Sequence, residues 1–78
     1  MYRNGEVVRN KQTQIALKIV DSFLEKGIVM YHYSLEKVDA LTGEPKTGEY
    51  ETYIGTKTQS DVIRFGAQLK ISEIKHEK

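Results

Sequence analysis

Residues 28 to 57, IVMYHYSLEKVDALTGEPKTGEYETYIGTK, decide the reading of the fold. Residues 28–38 and 50–58 are rich in β-branched and aromatic side chains, the types that fit a pleated, half-buried surface. Between them Leu41-Thr42-Gly43-Glu44-Pro45-Lys46-Thr47-Gly48 holds two turn glycines and the one proline of the chain. Two β-rich runs around such a segment read as one long antiparallel hairpin. Placing Val38 opposite Tyr50 sets Lys37 against Glu51, Leu35 against Tyr53, and Tyr33 over Gly55, where an aromatic ring covers the missing side chain. A slip of one residue would exchange the faces of the second strand.

Upstream, Ile15, Ala16, Leu17, Ile19, Val20, Phe23 and Leu24 recur at spacings of three and four, which predicts an amphipathic helix over residues 11–26 stopped by Gly27. Ile15, Leu17 and Ile19 also alternate, so a strand over residues 14–21 is the competing reading. Downstream, Thr58-Gln59-Ser60-Asp61 resembles a capping box with Asp in place of the usual Glu, and Val62, Ile63, Phe65 and Leu69 continue at helical spacing. Gly66 within this second helix costs about 1 kcal/mol relative to alanine unless close packing against the sheet requires it. Residues 6–9 and 71–75 read as short opening and closing strands. The expected fold is a single α+β domain over residues 1–78. In it a small antiparallel sheet of three to four strands, centred on the hairpin of residues 28–57, is packed on one face by two helices. Counting the first strand, the order is β-α-β-β-α-β.

The totals narrow the functional classes. A chain of 78 residues forms one core worth about 3 to 5 kcal/mol of net stability, so a partner subunit is a natural reinforcement. There is no cysteine, hence no disulfide, thiolate zinc site or cysteine nucleophile, and an intracellular, cytoplasmic setting is expected. No apolar run approaches the roughly 20 residues that span a bilayer, and the first residues lack the apolar stretch of a signal peptide, so no membrane association is expected. Net charge is +1 and unevenly spread: residues 28–57 carry three lysines against five acidic residues, while the flanking segments are mildly basic. An acidic hairpin repels phosphate unless its carboxylates point away from the binding face.

The proposed register puts Val29, Tyr31, Tyr33, Leu35 and Tyr53 on one sheet face and Ile28, Met30, His32, Val38, Tyr50 and Ile54 on the other. Two helices cover one face, so an apolar second face is expected to meet something else or to be partly buried by twist of the sheet. Met30, His32, Val38, Tyr50 and Ile54 are the interface candidates. The leading expectation is a small non-enzymatic binding module that meets a protein partner through the hairpin face or edge, as a homodimer, an inhibitor or an adaptor.

The alternative is a nucleic-acid binder. It would use Arg3, Arg9, Lys11, Arg64 and Lys70 on phosphates and stack bases on Tyr31 and Tyr33, although solvated faces and amphipathic core-edge tyrosines account for the same residues. Residues 26–33 depart from the RNP1 pattern of RNA-recognition motifs, which needs Gly or Ala and aromatic residues where Val29 and Met30 stand. A third class, a small ligand or nucleotide in a dimer cleft, has no motif behind it. Catalysis is not expected. His32 and His76 have no metal spacing, and Ser34 beside His32 lacks the third orienting group of a nucleophilic site. No phosphate loop precedes either predicted helix, and no cofactor is implied.

Overall fold

The structure is a computed structural model and describes residues 1–52 and 54–67. The described elements run β1 (Val7–Arg9), β2 (Ala16–Glu25), β3 (Ile28–Val38), β4 (Pro45–Tyr50), β5 (Gly55–Thr58) and α1 (Gln59–Ala67). All pairings are antiparallel, in the order β1-β2-β3-β4, with β5 also pairing β3. The fold is α+β, and β3 is its central strand.

The helix expected over residues 11–26 does not form. Ala16–Glu25 is a ten-residue strand instead, in agreement with the competing alternation of Ile15, Leu17 and Ile19. The cause of the misreading is a bulge. Ile19 pairs with Tyr33 but Asp21 pairs with His32, so Val20 is an extra residue in β2. One inserted residue sends every later side chain to the opposite face. Leu17 and Ile19 thus join the buried core, whereas Phe23 stacks on His32 on the other face. Two faces read through one bulge yield apolar spacings of three and four, which imitate a helix. Gly27 ends no helix either. Lys26 and Gly27 have φ of 53° and 80°, the two left-handed positions of a tight hairpin turn that sets Glu25 opposite Ile28.

Consequently one helix, not two, is present among the described residues. It starts as expected: the Thr58 hydroxyl oxygen accepts the N–H of Asp61 at 3.2 Å, satisfying one of the free donors of the first turn. Leu69, Lys70 and the expected closing strand over residues 71–75 lie outside the described residues.

The second arm of the central hairpin is broken in two. Tyr33 does face Gly55, and a Cβ there would fall 2.7 Å from the Tyr33 hydroxyl oxygen. Nearer the turn the expected register fails, because Tyr50 pairs with Glu36 rather than Val38, and Val38 pairs with Pro45. Lys37 alone lies between those pairs on β3, against residues 46–49 on β4. This slack lets Gly48, at φ 85°, turn its N–H to the Glu36 carboxylate at 2.9 Å. Asp39 closes the loop, its carboxylate accepting the N–H groups of Leu41 at 2.8 Å and Thr42 at 3.0 Å. These donors hold the Asp39 carboxyl below the usual carboxylate range.

Glu36 is the polar centre of the sheet. It is 2 % exposed and accepts from Arg9 Nη1 at 3.0 Å, the Ala16 N–H at 3.2 Å and the Gly48 N–H at 2.9 Å. One carboxylate therefore ties together four strands. Burial opposes its ionisation, yet the Gly48 and Ala16 N–H groups and the Arg9 guanidinium outweigh burial and hold its pKa below the ordinary value.

Leu17, Ile19, Tyr31 and Val62 form the buried core, flanked by Tyr2, Val8, Val29, Tyr33 and Phe65. The Tyr31 hydroxyl accepts the Tyr2 N–H at 3.1 Å and donates to Gln59 Oε1 at 3.0 Å. Asn10 seats the end of α1, donating from Nδ2 to the Phe65 carbonyl at 2.7 Å. Beside it, a Cβ on Gly66 would lie 2.7 Å from Val8 Cγ1, so close packing against the sheet accounts for this glycine. Gly66→Ala should therefore lower the melting temperature, although alanine in a helix interior ordinarily gains about 1 kcal/mol over glycine. In a Val8→Ala background the same change should become stabilising, as differential scanning calorimetry of the four combinations would read.

Candidate protein-binding surface

The helix α1 packs against β1, β3 and β5 on the core face. The opposite face has two unlike halves. Toward β4 it is closed by the chain itself: residues 46–52 fold over Ser34 and Glu36, both buried, and the Ser34 hydroxyl donates to the Glu51 carbonyl. Lys18 extends over the Tyr50 ring, its Nζ 5.1 Å from the centroid.

Toward the β2–β3 turn the face is open. Asp21, His32 and Thr56 are successive partners across β2, β3 and β5, and Phe23, Met30 and Thr58 form the next row. The imidazole of His32 lies 4.6 Å from the Phe23 ring, nearly parallel to it. Its Nδ1–H donates to the Asp21 carboxylate at 2.6 Å. Phe23, Met30 and His32 are half-buried, and Ile28 beyond them is 54 % exposed. No helix lies on this side among the described residues. Between the halves Lys18, Val20, Tyr50, Thr52 and Ile54 line a shallow groove of about 410 Å³.

Of the interface residues singled out from sequence, Met30 and His32 are neighbours on the open half, and Tyr50 and Ile54 line the groove beside it. Val38 sits at the far end of β3 opposite Pro45 and does not join them. Phe23 and Asp21 were missed, because a helical reading of residues 11–26 gives them no cross-strand neighbours. The alternation of Ile15, Leu17 and Ile19 points to a strand, but the extra residue at Val20 breaks it before Asp21 and Phe23, so only their pairing with His32 and Met30 places them.

The residues considered for nucleic acid are engaged differently. Tyr31 is fully buried, so its ring has no free face for a base. Tyr33 rests over Gly55 with Lys57 Nζ 5.2 Å from its centroid. Arg9 is held by Glu36, and Arg64 lies 3.6 Å from Asp61. Arg3 and Lys11 are exposed.

Among the described residues no group of three His, Asp or Glu side chains is placed to hold a metal ion, and no helix is long and apolar enough to cross a membrane. No protein-family model matches the chain, and neither the curated proteins nor the solved structures yield a significant match.

Proposed function

We propose that this chain is a non-enzymatic binding module that engages another protein through the open half of its second sheet face. The observation that carries this reading is the two-row array of Phe23, Met30 and His32, with exposed Ile28 at its edge, on a face with no helix over it among the described residues. Apolar side chains grouped on an uncovered sheet face are what sheet-on-sheet packing uses, at a layer spacing of about 10 Å. The partner is a second copy of the chain, a target to be occluded, or one of two proteins to be joined. Nucleic acid fits less well, since Tyr31 and Arg9 are committed within the fold.

The test is native mass spectrometry on protein purified gently at low salt. Association in integer multiples of the chain mass, or with a second protein, is expected. Met30→Asp and Ile54→Asp should each weaken it more than tenfold, as for a carboxylate placed at an apolar contact, while circular dichroism remains that of the folded parent. Unchanged association in both variants would remove this face from consideration. Added mass that disappears at high salt would instead favour phosphate binding.

A further inference from the structure

We propose that the outer edge of β2, from Asp21 to Glu25, is a docking strand for an extended, basic segment of a partner protein, which adds to the sheet beside it. The inference rests on the protein-binding reading above and names the chemistry of the partner.

Backbone geometry is the first support. The Lys26-Gly27 turn makes Glu25 and Ile28 a hydrogen-bonded pair, and such pairs alternate along an antiparallel ladder. With Leu24 opposite Val29 and Ser22 opposite Tyr31, the N–H and C=O groups of Ser22 and Leu24 point away from β3. β1 accompanies β2 only as far as the Val7 and Lys18 pair. Gly5 and Glu6 extend that contact to Ile19 and no further. Among the described residues nothing pairs with β2 beyond this point. Neither proline nor lysine guards the edge from Asp21 to Glu25, and the two carboxylates there discourage indiscriminate pairing while leaving room for a basic strand.

Charge selects the occupant. Asp21, Phe23 and Glu25 alternate along one face of the edge. Asp21 leaves 51 % of its side chain exposed while its Oδ1 meets His32, and Glu25 is exposed. A strand laid alongside is matched when it carries Lys or Arg at both ends of this row and an apolar residue between them. A second copy is a poorer fit. Two β2 edges related by a two-fold axis at Phe23 would set Asp21 against Glu25 at both ends, a like-charge arrangement that disfavours pairing. On the other face Leu24, 71 % exposed, offers the incoming strand an apolar contact.

The test uses the full chain, labelled with nitrogen-15, and a capped synthetic heptapeptide in which threonines alternate with lysine, valine and lysine. Its counterpart carries glutamate in place of both lysines. Hydrogen exchange of the Ser22 and Leu24 amides should slow at least tenfold on adding the lysine peptide, which should bind at least tenfold more tightly than the glutamate peptide. Leu24→Pro removes an outward N–H at a position where an edge strand tolerates proline, and it should abolish the effect. Glu25→Lys, a change at an exposed site, leaves one carboxylate and one ammonium along the row, so it should erase the preference between peptides and keeps the test decisive if the proline variant misfolds. Equal binding of both peptides by the parent chain, or shifts that avoid Ser22 and Leu24, would overturn the proposal. So would protection of these amides in the free monomer, which would mean that another part of the chain already occupies the edge. A dimer dissolved by Leu24→Pro would assign the edge to a second copy instead. If the peptide fails while Met30→Asp still disrupts association, the edge proposal falls alone.

Discussion

Replacing Glu36 with alanine is expected to leave most of the chain unfolded in dilute buffer. The change strips three donors of their acceptor at once, two of them backbone N–H groups from Ala16 and Gly48. Arg9 remains partly in water, but each hydrogen bond to a charged group is worth about 1.5 to 3 kcal/mol, so losing three together is comparable to the whole stability of a domain this size, about 3 to 5 kcal/mol. Glu36→Gln keeps the shape and part of the hydrogen bonding, so it should be the milder change. Equilibrium urea unfolding would separate the two. Acid should act along the same path. Because the folded-state pKa is depressed, the stabilisation from Glu36 is complete above the pKa of an unfolded glutamate, about 4.3, and is lost as pH falls through the lower folded value. Midpoints measured from pH 7 downward should therefore drop below about pH 4, and Glu36→Gln should flatten that part of the profile. A profile of the same shape in both proteins would show that other carboxylates carry the acid sensitivity.

The second large effect is expected at Tyr31. It heads the fully buried side chains by volume, and its ring meets Tyr2 edge-on at a centroid distance of 5.6 Å. Truncating a buried aromatic residue to alanine costs about 3 to 5 kcal/mol, so Tyr31→Ala should not fold alone. Tyr31→Phe keeps the ring and loses only the hydroxyl, which bridges Tyr2 in the first segment to Gln59 at the start of α1. Its cost should be about 1 to 3 kcal/mol, that of leaving a buried donor unsatisfied. Urea midpoints followed by tyrosine fluorescence would measure both changes. Equal losses in the two variants would place the stabilisation in the hydroxyl bridge rather than in the ring.

What the sequence made legible follows from which signals were local. The Thr58 cap, the start of α1, the pairing of Tyr33 with Gly55 and the short first strand all depend on near neighbours or on one cross-strand match. The β2 strand was hidden because an extra residue at Val20 switches faces in mid-strand, and a periodicity count has no place for an insertion. The register near Tyr50 was hidden for a similar reason: Gly48 leaves the ladder to serve Glu36, a buried carboxylate that composition alone treats as surface. As for the candidate surface, Met30 and His32 could be chosen from alternation, whereas Phe23 and Asp21 became visible only through their pairing across β2 and β3.

The two-residue turn at Lys26-Gly27 bears on the order in which the sheet can assemble. It joins the two longest strands with the shortest possible connection, so their ladder has the lowest loop-closure cost among the pairings described. Hairpins of this kind close on a timescale of about 1 to 10 μs, before distant segments have searched for their places. β2 and β3 are thus suited to be the template on which β1, β5 and α1 later settle. Until they do, the nascent ladder offers unpaired edges, the part of the sheet most open to pairing with other strands.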